Sequence, residues 1–431
     1  MLYVYTIQKT ERLKYILDEL LGRRMGFDFL LTDDLNEFKI LDDAKINYSE
    51  TVFEDAVNIK PHFLLFEDNI RNQNIEVKSN TEWNKIFFES QSEIPFDIFA
   101  ASFYLLSRYE EKLPYESDEH GRYKAEQSLA VKNNFIEIPL IDIWAKHFKE
   151  IILTKFPQTK FRENHFKFTS TIDIDFAYKY RGIGLMKQTL KFWKSLLQAR
   201  FKDCFEQLNF KNDPYDTYGF IQKVSTNNQS TLLYFLLMRT GTEFDKNISP
   251  KSVEMKNLVI KLSEKNEIGL HPSYFSDDEK KLKEEKLLLE KISNKKISIT
   301  RQHFLKFNLP HTYRKLITQG FTDDYSMAYS AICGFRASTS FPFYFFDLEK
   351  NETTNLTIHP TTAMDVTLKN YQKLSPEQAI SKIEFLINEV KKVDGIFISL
   401  WHNSNLCLND EWKGWRIVFE KMHALTSKKT N

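Results

Sequence analysis

The chain has 431 residues, of which 42% are hydrophobic and 14% aromatic, and its 60 basic residues almost balance its 59 acidic ones. This composition excludes a disordered chain, and the balanced charge excludes the electrostatic footprint of a nucleic-acid-binding protein. Only 12 glycines occur, and the absence of both G-x-G-x-x-G and G-x-x-x-x-G-K argues against a nucleotide-binding loop. The length predicts two or three domains.

Cysteine spacing and hydropathy bear on the compartment of the protein. Cys204, Cys333 and Cys407 lack C-x-x-C spacing and are expected to be reduced thiols. The first ten residues lack the basic and apolar regions of a secretory signal. No window reaches the ~20 apolar residues that a membrane span needs. We therefore expect a soluble, cytoplasmic protein.

Residues 1–164 predict a smaller N-terminal α+β domain. Strands are expected at 2–7, 29–31, 38–41 and 62–66, and helices up to about 23, at 98–108 and at 139–156. The polar segment 115–124 is expected to be a surface loop that packs back on the helix before it, with a ligand site as the alternative. The polar link 157–164 marks the boundary with a second domain, 165–431.

The second domain predicts an α/β fold, because strands separated by helices are typical of a parallel sheet or barrel. Strands are expected at 168–174, 231–237, 267–270, 297–300, 322–325 and 396–401. Helices are expected at 251–266, 277–293, 310–320 and 376–393.

The first strand of this domain ends in two acids, Asp173 and Asp175. Side chains two residues apart on a strand point to the same face. Two unpaired carboxylates at the end of an apolar strand cost several kcal/mol, so a metal ion, an arginine or a histidine is expected beside them. Capping of the next helix or pairing with surface lysines is the alternative.

Polar residues also follow the other predicted strands: His271, Arg301, His303 and His402, with Asp323 and Asp324 at a helix-to-strand junction. The carboxyl ends of parallel strands converge on one rim, so a shared site is predicted. One Asp with two His suits Zn²⁺ or another divalent ion. The second Asp would be a general base kept ionised by the arginine, and the remaining His would protonate a leaving amine. This equipment indicates metal-assisted hydrolysis of an amide or ester.

The order of these motifs over residues 166–425 resembles the polysaccharide deacetylases with a NodB-homology domain (carbohydrate esterase family 4). Thr171-Ile-Asp173-Ile-Asp175 is similar to the family's T-F-D-D segment, with one residue inserted between the acids. Leu400-Trp-His402 is similar to its L-x-H motif. Within the family, the chain is most similar to a bacterial branch with an N-terminal domain of uncharacterised function.

The metal motif of the family, I-G-x-H-[ST]-x-x-H, is similar to Ile268-Gly-Leu-His271-Pro-Ser-Tyr-Phe275, in which Phe275 replaces the second His. His303 lies where the family has its R-P-P-Y motif, and the match implies that it supplies the missing nitrogen. By the same match, Arg301 would be the arginine that steadies the base.

The resemblance implies a distorted (β/α) barrel of the NodB deacetylase type and a divalent metal ion, with Zn²⁺ as the first candidate. It implies a metal-dependent hydrolase that removes an acetyl group from an N-acetylated sugar or glycan. Asp175, His271 and His303 would bind the metal, although the inserted residue leaves the order of the two acids open. The implied catalytic residues are Asp173 as base, Arg301 beside it and His402 as acid.

Further segments match the bacterial branch: Asp213–Tyr218, Asp324–Met327, Gly334–Ala337 and Met364–Leu368. They imply carbohydrate contacts by Arg336, Tyr215, Trp401 and Asp324, with loop packing as the alternative. A deacetylase-fold protein that binds carbohydrate without turnover is the alternative function. A glycosidase fits less well, because its carboxylates flank the scissile bond ~5–10 Å apart rather than share one strand.

Overall fold

Parallel strands and helices build both parts of the chain, and the computed structural model describes residues 1–199, 201–208, 212–408 and 410–427. The described residues form a mixed α/β structure with a four-stranded sheet, a nine-stranded sheet and a two-stranded ribbon. The small sheet and the ribbon belong to the N-terminal part, and the large sheet begins at Lys167. The predicted α/β class is therefore confirmed.

The N-terminal sheet has the order β2–β1–β3–β4, and all its strands are parallel. Its strands are β1 (Leu2–Thr6), β2 (Phe29–Thr32), β3 (Ala44–Tyr48) and β4 (Val57–Ile59). The antiparallel ribbon consists of β5 (Lys78–Asn80) and β6 (Asn84–Ile86). The helices are α1 (Glu11–Leu17), α2 (Leu35–Ile40), α3 (Ile98–Leu106), α4 (Leu129–Lys132) and α5 (Leu140–Lys155), and a π-helical segment, Asp18–Arg24, continues α1.

Two predicted strands of this part are wrong. Residues 38–41 fall mostly in α2, because the Asp34 side chain accepts hydrogen bonds from the backbone N–H groups of Asn36 and Glu37 and so caps a helix. Residues 62–66 form a short 3₁₀-helix, Phe63–Phe66, which His62 caps through its ring nitrogen. In both places a local cap outweighs the strand propensity of the apolar residues.

The large sheet has the order β12–β13–β11–β10–β9–β8–β7–β15–β14. Its strands are β7 (Lys167–Ile174), β8 (Thr231–Leu237), β9 (Glu267–His271), β10 (Ile299–Thr300), β11 (Asp323–Asp324), β12 (Phe343–Asp347), β13 (Glu352–Ile358), β14 (Ala363–Met364) and β15 (Ile396–His402). All neighbours are parallel except the β12–β13 hairpin. The predicted strands are present, whereas β12, β13 and β14 were not predicted, and closure into a barrel stays a prediction.

The helices of the C-terminal part connect these strands. They are α6 (Leu185–Leu197), α7 (Phe201–Leu208), α8 (Tyr218–Asn227), α9 (Val253–Lys265), α10 (Glu279–Ser293), α11 (His311–Thr318), α12 (Pro376–Lys392) and α13 (Trp415–Thr426). Helices α9 to α12 confirm the four predicted ones. No helix among the described residues is long and apolar enough to span a bilayer.

Strand β7 lies inside the large sheet between β8 and β15, and its register aligns the ends of these strands. Asp173 is paired with Phe235 on one side and with His402 on the other. In the next pair of strands, Leu237 is opposite His271. The polar residues that end these strands therefore reach the same edge of the sheet.

The N-terminal part packs against the β12–β13 side of the large sheet. The rings of Tyr15 and Phe103 lie 5.0 and 5.1 Å from that of Phe346, and the Tyr15 hydroxyl donates to the carbonyl of Tyr344 at 2.8 Å. One continuous buried apolar cluster includes residues of both parts. The boundary at 157–164 stays a prediction, but the residues on its two sides share a core.

A buried ion-pair network also joins the two parts. The Arg336 guanidinium donates to both carboxylate oxygens of Glu111 at 3.0 and 2.7 Å, and Arg108 donates to Glu111 at 2.8 Å. The Arg108 guanidinium also donates to the hydroxyl of Tyr329 at 3.1 Å. Burial raises the pKa of Glu111, but the two guanidinium groups outweigh burial and lower it below its usual range.

Replacing Arg336 by Met should lower the free energy of unfolding by about 3 kcal/mol, because it removes one partner of a buried charge. Urea unfolding followed by circular dichroism measures the change. The control Lys350→Met removes an exposed ion pair with Glu352 and should change stability by less than about 1 kcal/mol. Equal stability of the two variants would contradict a structural role for the Glu111–Arg336 pair.

Candidate metal centre

The ends of four strands bring ionisable residues to one cavity of about 200 Å³. Asp173 and Asp175 come from the end of β7 and the residue after it, His271 from β9, His303 from the turn after β10, and His402 from β15. All five line the cavity. The structure therefore brings these five residues to one edge of the sheet, where the strand ends were predicted to converge.

Asp175, His271 and His303 form the group that suits a metal ion. The Asp175 carboxylate lies 3.1 Å from His271 Nε2 and 3.5 Å from His303 Nε2. One potential ligand atom from each residue lies within 4.8 Å of the others. One carboxylate with two imidazole nitrogens is a common ligand set for catalytic zinc.

The hydrogen bond of His271 sets the direction of its lone pair. Its Nδ1 lies 2.6 Å from the backbone carbonyl oxygen of Arg301. A carbonyl oxygen only accepts hydrogen bonds, so Nδ1 carries the proton, and Nε2 of the neutral ring presents its lone pair to Asp175. The Oδ1 atom of Asp175 is buried and receives no hydrogen bond from the described residues.

His303 is oriented in the same way by Asp245. Its Nδ1 lies 3.1 Å from Asp245 Oδ1, a buried carboxylate that also accepts hydrogen bonds from Thr242 and the backbone of Tyr274. Burial lowers the pKa of His303, but the charges and hydrogen bonds of Asp175 and Asp245 outweigh it and raise that pKa to about 9. The two carboxylates therefore stabilise a positive charge at Nε2 of His303, which either a proton or a metal ion provides. The residues present fit a divalent ion.

Asp173 is paired with Arg301 rather than with the histidine cluster. Arg301 is fully buried and donates to Asp173 Oδ1 at 2.9 Å and to the hydroxyls of Thr171 and Thr361 at 2.6 and 3.1 Å. The second carboxylate oxygen of Asp173 lies 3.7 Å from His271 Nε2. The guanidinium therefore fixes the position of the Asp173 carboxylate.

His402 is the third histidine beside Asp175, and Asp365 orients it. Its Nδ1 lies 2.9 Å from Asp365 Oδ1, and its Nε2 lies 3.6 Å from Asp175 Oδ2. Asp365 is fully buried and also accepts hydrogen bonds from the His402 backbone and from Asn405. Burial lowers the pKa of His402, but the charge and hydrogen bond of Asp365 and the charges of Asp175 and Asp173 raise it to about 10.

Asp245 and Asp365 were not among the predicted site residues. Asp245 lies in an irregular loop after β8, where no motif distinguishes it. Asp365 lies in the segment Met364–Leu368, which the resemblance marked without assigning this residue. An acid that accepts the Nδ1–H of a ligand histidine has no sequence spacing of its own, so only the tertiary contact identifies it.

The segment 115–124, predicted to pack back on the helix before it, also contacts the C-terminal part beside the cavity. Arg122 lines the cavity and donates to Asp118 at 2.7 Å and to the carbonyl of Phe304 at 2.6 Å. His120 Nδ1 lies 2.8 Å from the Tyr274 hydroxyl. These two partners lie more than 150 residues away in the sequence, so no local pattern indicates them.

Arg122 contacts an unusual turn. Phe304, directly after His303, has φ 60°, and Leu305 has φ 51°, so two large residues in succession occupy the left-handed region. Such conformations cost about 1–3 kcal/mol each and persist only where surrounding contacts hold them. The hydrogen bond from Arg122 is one such contact, and it links the N-terminal part to the turn that carries His303.

Trp401 and Asp324, two predicted carbohydrate contacts, lie in the protein interior. Trp401 is 1% exposed, and its ring lies 5.2 Å from that of Phe419. Asp324 is fully buried and accepts hydrogen bonds from the backbone N–H and hydroxyl of Ser326, and burial raises its pKa to about 6. Both placements correspond to the loop-packing alternative, because neither side chain presents a surface to a ligand.

Arg336 lines a second cavity, of about 240 Å³, that shares Arg122 and Tyr371 with the first. Its guanidinium, predicted to contact an anion or sugar, is instead committed to Glu111. Tyr215 is half-buried, and its ring lies 6.2 Å from that of Phe176, next to Asp175. Tyr215 therefore remains a candidate for substrate contact, and Arg336 is better explained as a structural residue.

The comparisons with known proteins concern both parts of the chain. A family of unknown function (DUF7033) matches residues 2–157, and no curated protein matches the chain. Among solved structures, a Mycobacterium smegmatis protein assigned as a polysaccharide deacetylase is similar at 13% identity, with 61% of this chain and 84% of that chain covered and a TM-score of 0.40. A polysaccharide deacetylase from Bacillus cereus is similar at 12% identity, with 61% and 87% covered and a TM-score of 0.30. A pseudoenzyme of carbohydrate esterase family 4 from Bacillus anthracis is similar at 10% identity, with 62% and 64% covered and a TM-score of 0.30.

Asp245→Asn should weaken Zn²⁺ binding by about 10- to 100-fold, because it weakens the partner that orients His303. Isothermal titration calorimetry of Zn²⁺ into metal-free protein measures the affinity. Asp365→Asn is the matched control, since Asp365 orients His402 rather than a predicted ligand, and it should leave the affinity unchanged. If Asp365→Asn weakens Zn²⁺ binding as much as Asp245→Asn does, the assigned ligand set is wrong.

Arg122→Met should weaken Zn²⁺ binding by about fivefold, because the turn that carries His303 loses a contact that offsets its strain. The control Lys124→Met changes a partly exposed residue of the same segment, which pairs with Glu116, and should bind Zn²⁺ like the unchanged protein. Lower thermal stability of Arg122→Met with unaltered Zn²⁺ affinity would show that the segment supports the fold alone.

Proposed function

We propose that this protein is a metal-dependent hydrolase that removes the acetyl group from an N-acetylated sugar. The observation that carries the proposal is the orientation of His271 and His303. Hydrogen bonds at Nδ1 turn the Nε2 atoms of both rings toward the partly buried Asp175 carboxylate. This arrangement lies between an arginine-paired carboxylate and a further histidine, as an amide hydrolase needs.

Asp175, His271 and His303 would hold the divalent ion, with Zn²⁺ as the first candidate. When bound, such an ion supplies Lewis-acid chemistry, which polarises an acyl oxygen and makes water more acidic. The carbonyl of Arg301 and the carboxylate of Asp245 orient the two imidazoles before any ion arrives. This preorganisation lowers the cost of assembling the ligand set.

Asp173 is the proposed general base. Arg301 occupies its Oδ1 atom, and its Oδ2 atom faces the histidine cluster. Oδ2 would take a proton from the water that attacks the acetyl carbon, and Arg301 would hold the carboxylate in position for that transfer. This division assigns Asp173 to the water and Asp175 to the metal.

His402 is the proposed general acid. Asp365 holds its Nδ1, so its Nε2 points toward Asp175. Water adds its oxygen to the acetyl carbon, the carbon–nitrogen bond breaks, and the proton held at Nε2 passes to the departing nitrogen. The products are acetate and a free amine, and the proton taken by Asp173 balances the proton given by His402.

The size of the cavity supports the removal of a small acyl group. A volume of about 200 Å³ is below the ~300–1,000 Å³ of sites that enclose a drug-sized ligand. An acetyl group fits there, and the rest of the substrate would lie toward the second cavity beside Arg122 and Tyr371. The carbohydrate nature of the substrate rests on the sequence motifs, not on the cavity.

Phe275 favours the alternative of a carbohydrate-binding protein without turnover. It replaces the usual second histidine of the metal motif, and its side chain is 41% exposed outside the cavity lining. His303 offers a nitrogen to the same centre, which supports the enzyme over the binder. Metal binding and turnover separate the two functions.

The test is acetate release from oligomers of N-acetylglucosamine by purified protein, with metal content measured in parallel. A chelator should abolish release and Zn²⁺ should restore it. His402→Gln should lower kcat by about 100-fold or more with unchanged metal content, whereas His271→Ala should lose the metal. The control His165→Gln changes an exposed histidine and should behave like the unchanged protein.

Bound metal and bound oligomer without acetate release would overturn the proposed hydrolase in favour of the binder. New reducing ends without acetate would instead indicate cleavage of glycosidic bonds. Full metal occupancy in His271→Ala would contradict the assigned ligand set.

A further inference from the structure

The connection from β7 to β8 carries a pair of helices, α6 and α7, with an unusually exposed apolar surface. Leu190, Trp193 and Leu197 are spaced at three and four residues on α6 and are 64%, 60% and 85% exposed. Phe201 and Phe205 on α7 are 60% and 74% exposed. We call the three α6 residues, Leu190, Trp193 and Leu197, the apolar face, because their spacing places them on one side of the helix. Large hydrophobic side chains grouped in this way mark an interaction surface.

The charge of α6 differs from that of the whole chain. The chain is nearly neutral, but α6 contains three lysines and no acidic residue. Lys191 and Lys194 are exposed next to Trp193. A helix with Leu and Trp on one face and lysines beside them is complementary to a surface with a negatively charged outer layer and an apolar interior.

The segments that flank the two helices are held together at the edge of the sheet where the candidate metal centre lies. The connection leaves β7 directly after Asp175. The buried carboxylate of Asp213 accepts hydrogen bonds from the backbone N–H groups of Lys179, Tyr180 and Arg181 at 2.8–3.0 Å. These bonds join the segment before α6 to the segment after α7, so both helices arise from one closed base on this edge.

We propose that the apolar face docks on the surface of an anionic lipid bilayer. The apolar face would enter the boundary between headgroups and acyl chains, and Lys191 and Lys194 would contact lipid phosphates. Trp suits this depth, because its ring is apolar and its indole N–H is polar. The 13-residue helix α6 is too short to span and would lie in the plane of the surface.

A second copy of the chain is a poorer occupant of the same surface. A two-fold interface places the same patch of each subunit against the other. Two α6 helices would then bring the lysines of both copies close together. The repulsion between like charges disfavours that interface, whereas anionic lipid relieves it.

The docking itself does not depend on the proposed function, but its consequence for the substrate does. Because the helix pair arises at the edge that carries the metal centre, docking would bring this edge to the membrane. The N-acetylated sugar would then be part of a molecule anchored in the bilayer.

Co-sedimentation of the full chain with lipid vesicles tests the docking. Binding to phosphatidylcholine vesicles that contain phosphatidylglycerol should be about tenfold stronger than binding to pure phosphatidylcholine. Lys191→Gln with Lys194→Gln should lose this preference, and Trp193→Ser with Leu197→Ser should lose binding to both vesicles. The control Ile40→Ser changes an 83% exposed residue of α2 and should bind like the unchanged protein.

Absence of binding by the unchanged protein would overturn the proposal. So would a dimer in solution that Trp193→Ser with Leu197→Ser converts to a monomer, because the apolar face would then bind a second copy. Acetate release from soluble N-acetylglucosamine oligomers should be equal in all these variants, so a failure of docking leaves the proposed hydrolase standing. Release from a vesicle-anchored N-acetylglucosamine lipid should fall by about tenfold or more in the Ser variant, because this variant no longer binds the vesicle. An unchanged rate would overturn the membrane-anchored substrate.

Discussion

The buried guanidinium of Arg301 is the interaction on which the rest of the site depends. A charge that is fully removed from water must have all its donors satisfied. Arg301 donates to Asp173, Thr171, Thr361 and the carbonyl of Tyr325. Its own carbonyl accepts the Nδ1–H of His271. One residue thereby sets both the proposed base and the orientation of a proposed metal ligand. Neither can move without leaving a buried charge or a buried donor without its partner.

Two buried acids further from the proposed reaction also orient residues of the site. Asp245 and Asp365 hold the Nδ1 atoms of His303 and His402, and each turns the opposite ring nitrogen toward Asp175. The same kind of hydrogen bond orients two histidines with different proposed roles, since His303 is assigned to the metal and His402 to the leaving group. The two roles rest on the order of the sequence motifs, because the Nε2 atoms of both rings lie 3.5 and 3.6 Å from the same oxygen of Asp175.

The N-terminal part of the chain contacts both the large sheet and the residues around the site. The ion pair of Glu111 with Arg336 and the shared apolar core join it to the large sheet. Arg122 reaches the turn at Phe304, next to a proposed metal ligand. The composition of this part does not reveal its role. Through Arg122 it contributes to the cavity lining and supports the turn at Phe304.

Hydrophobic periodicity by itself determined the α/β class, the main strands and the convergence of Asp175 and His303 at one edge, because these follow from local pattern and from the geometry of parallel strands. It could not separate substrate contacts from structural residues, and Trp401 and Arg336 illustrate this. A buried indole and a paired guanidinium look the same in sequence as exposed ones. Only the tertiary structure decided their environment and identified Asp245, because hydrogen bonds and ion pairs join residues that are distant in the chain and leave no periodic signal.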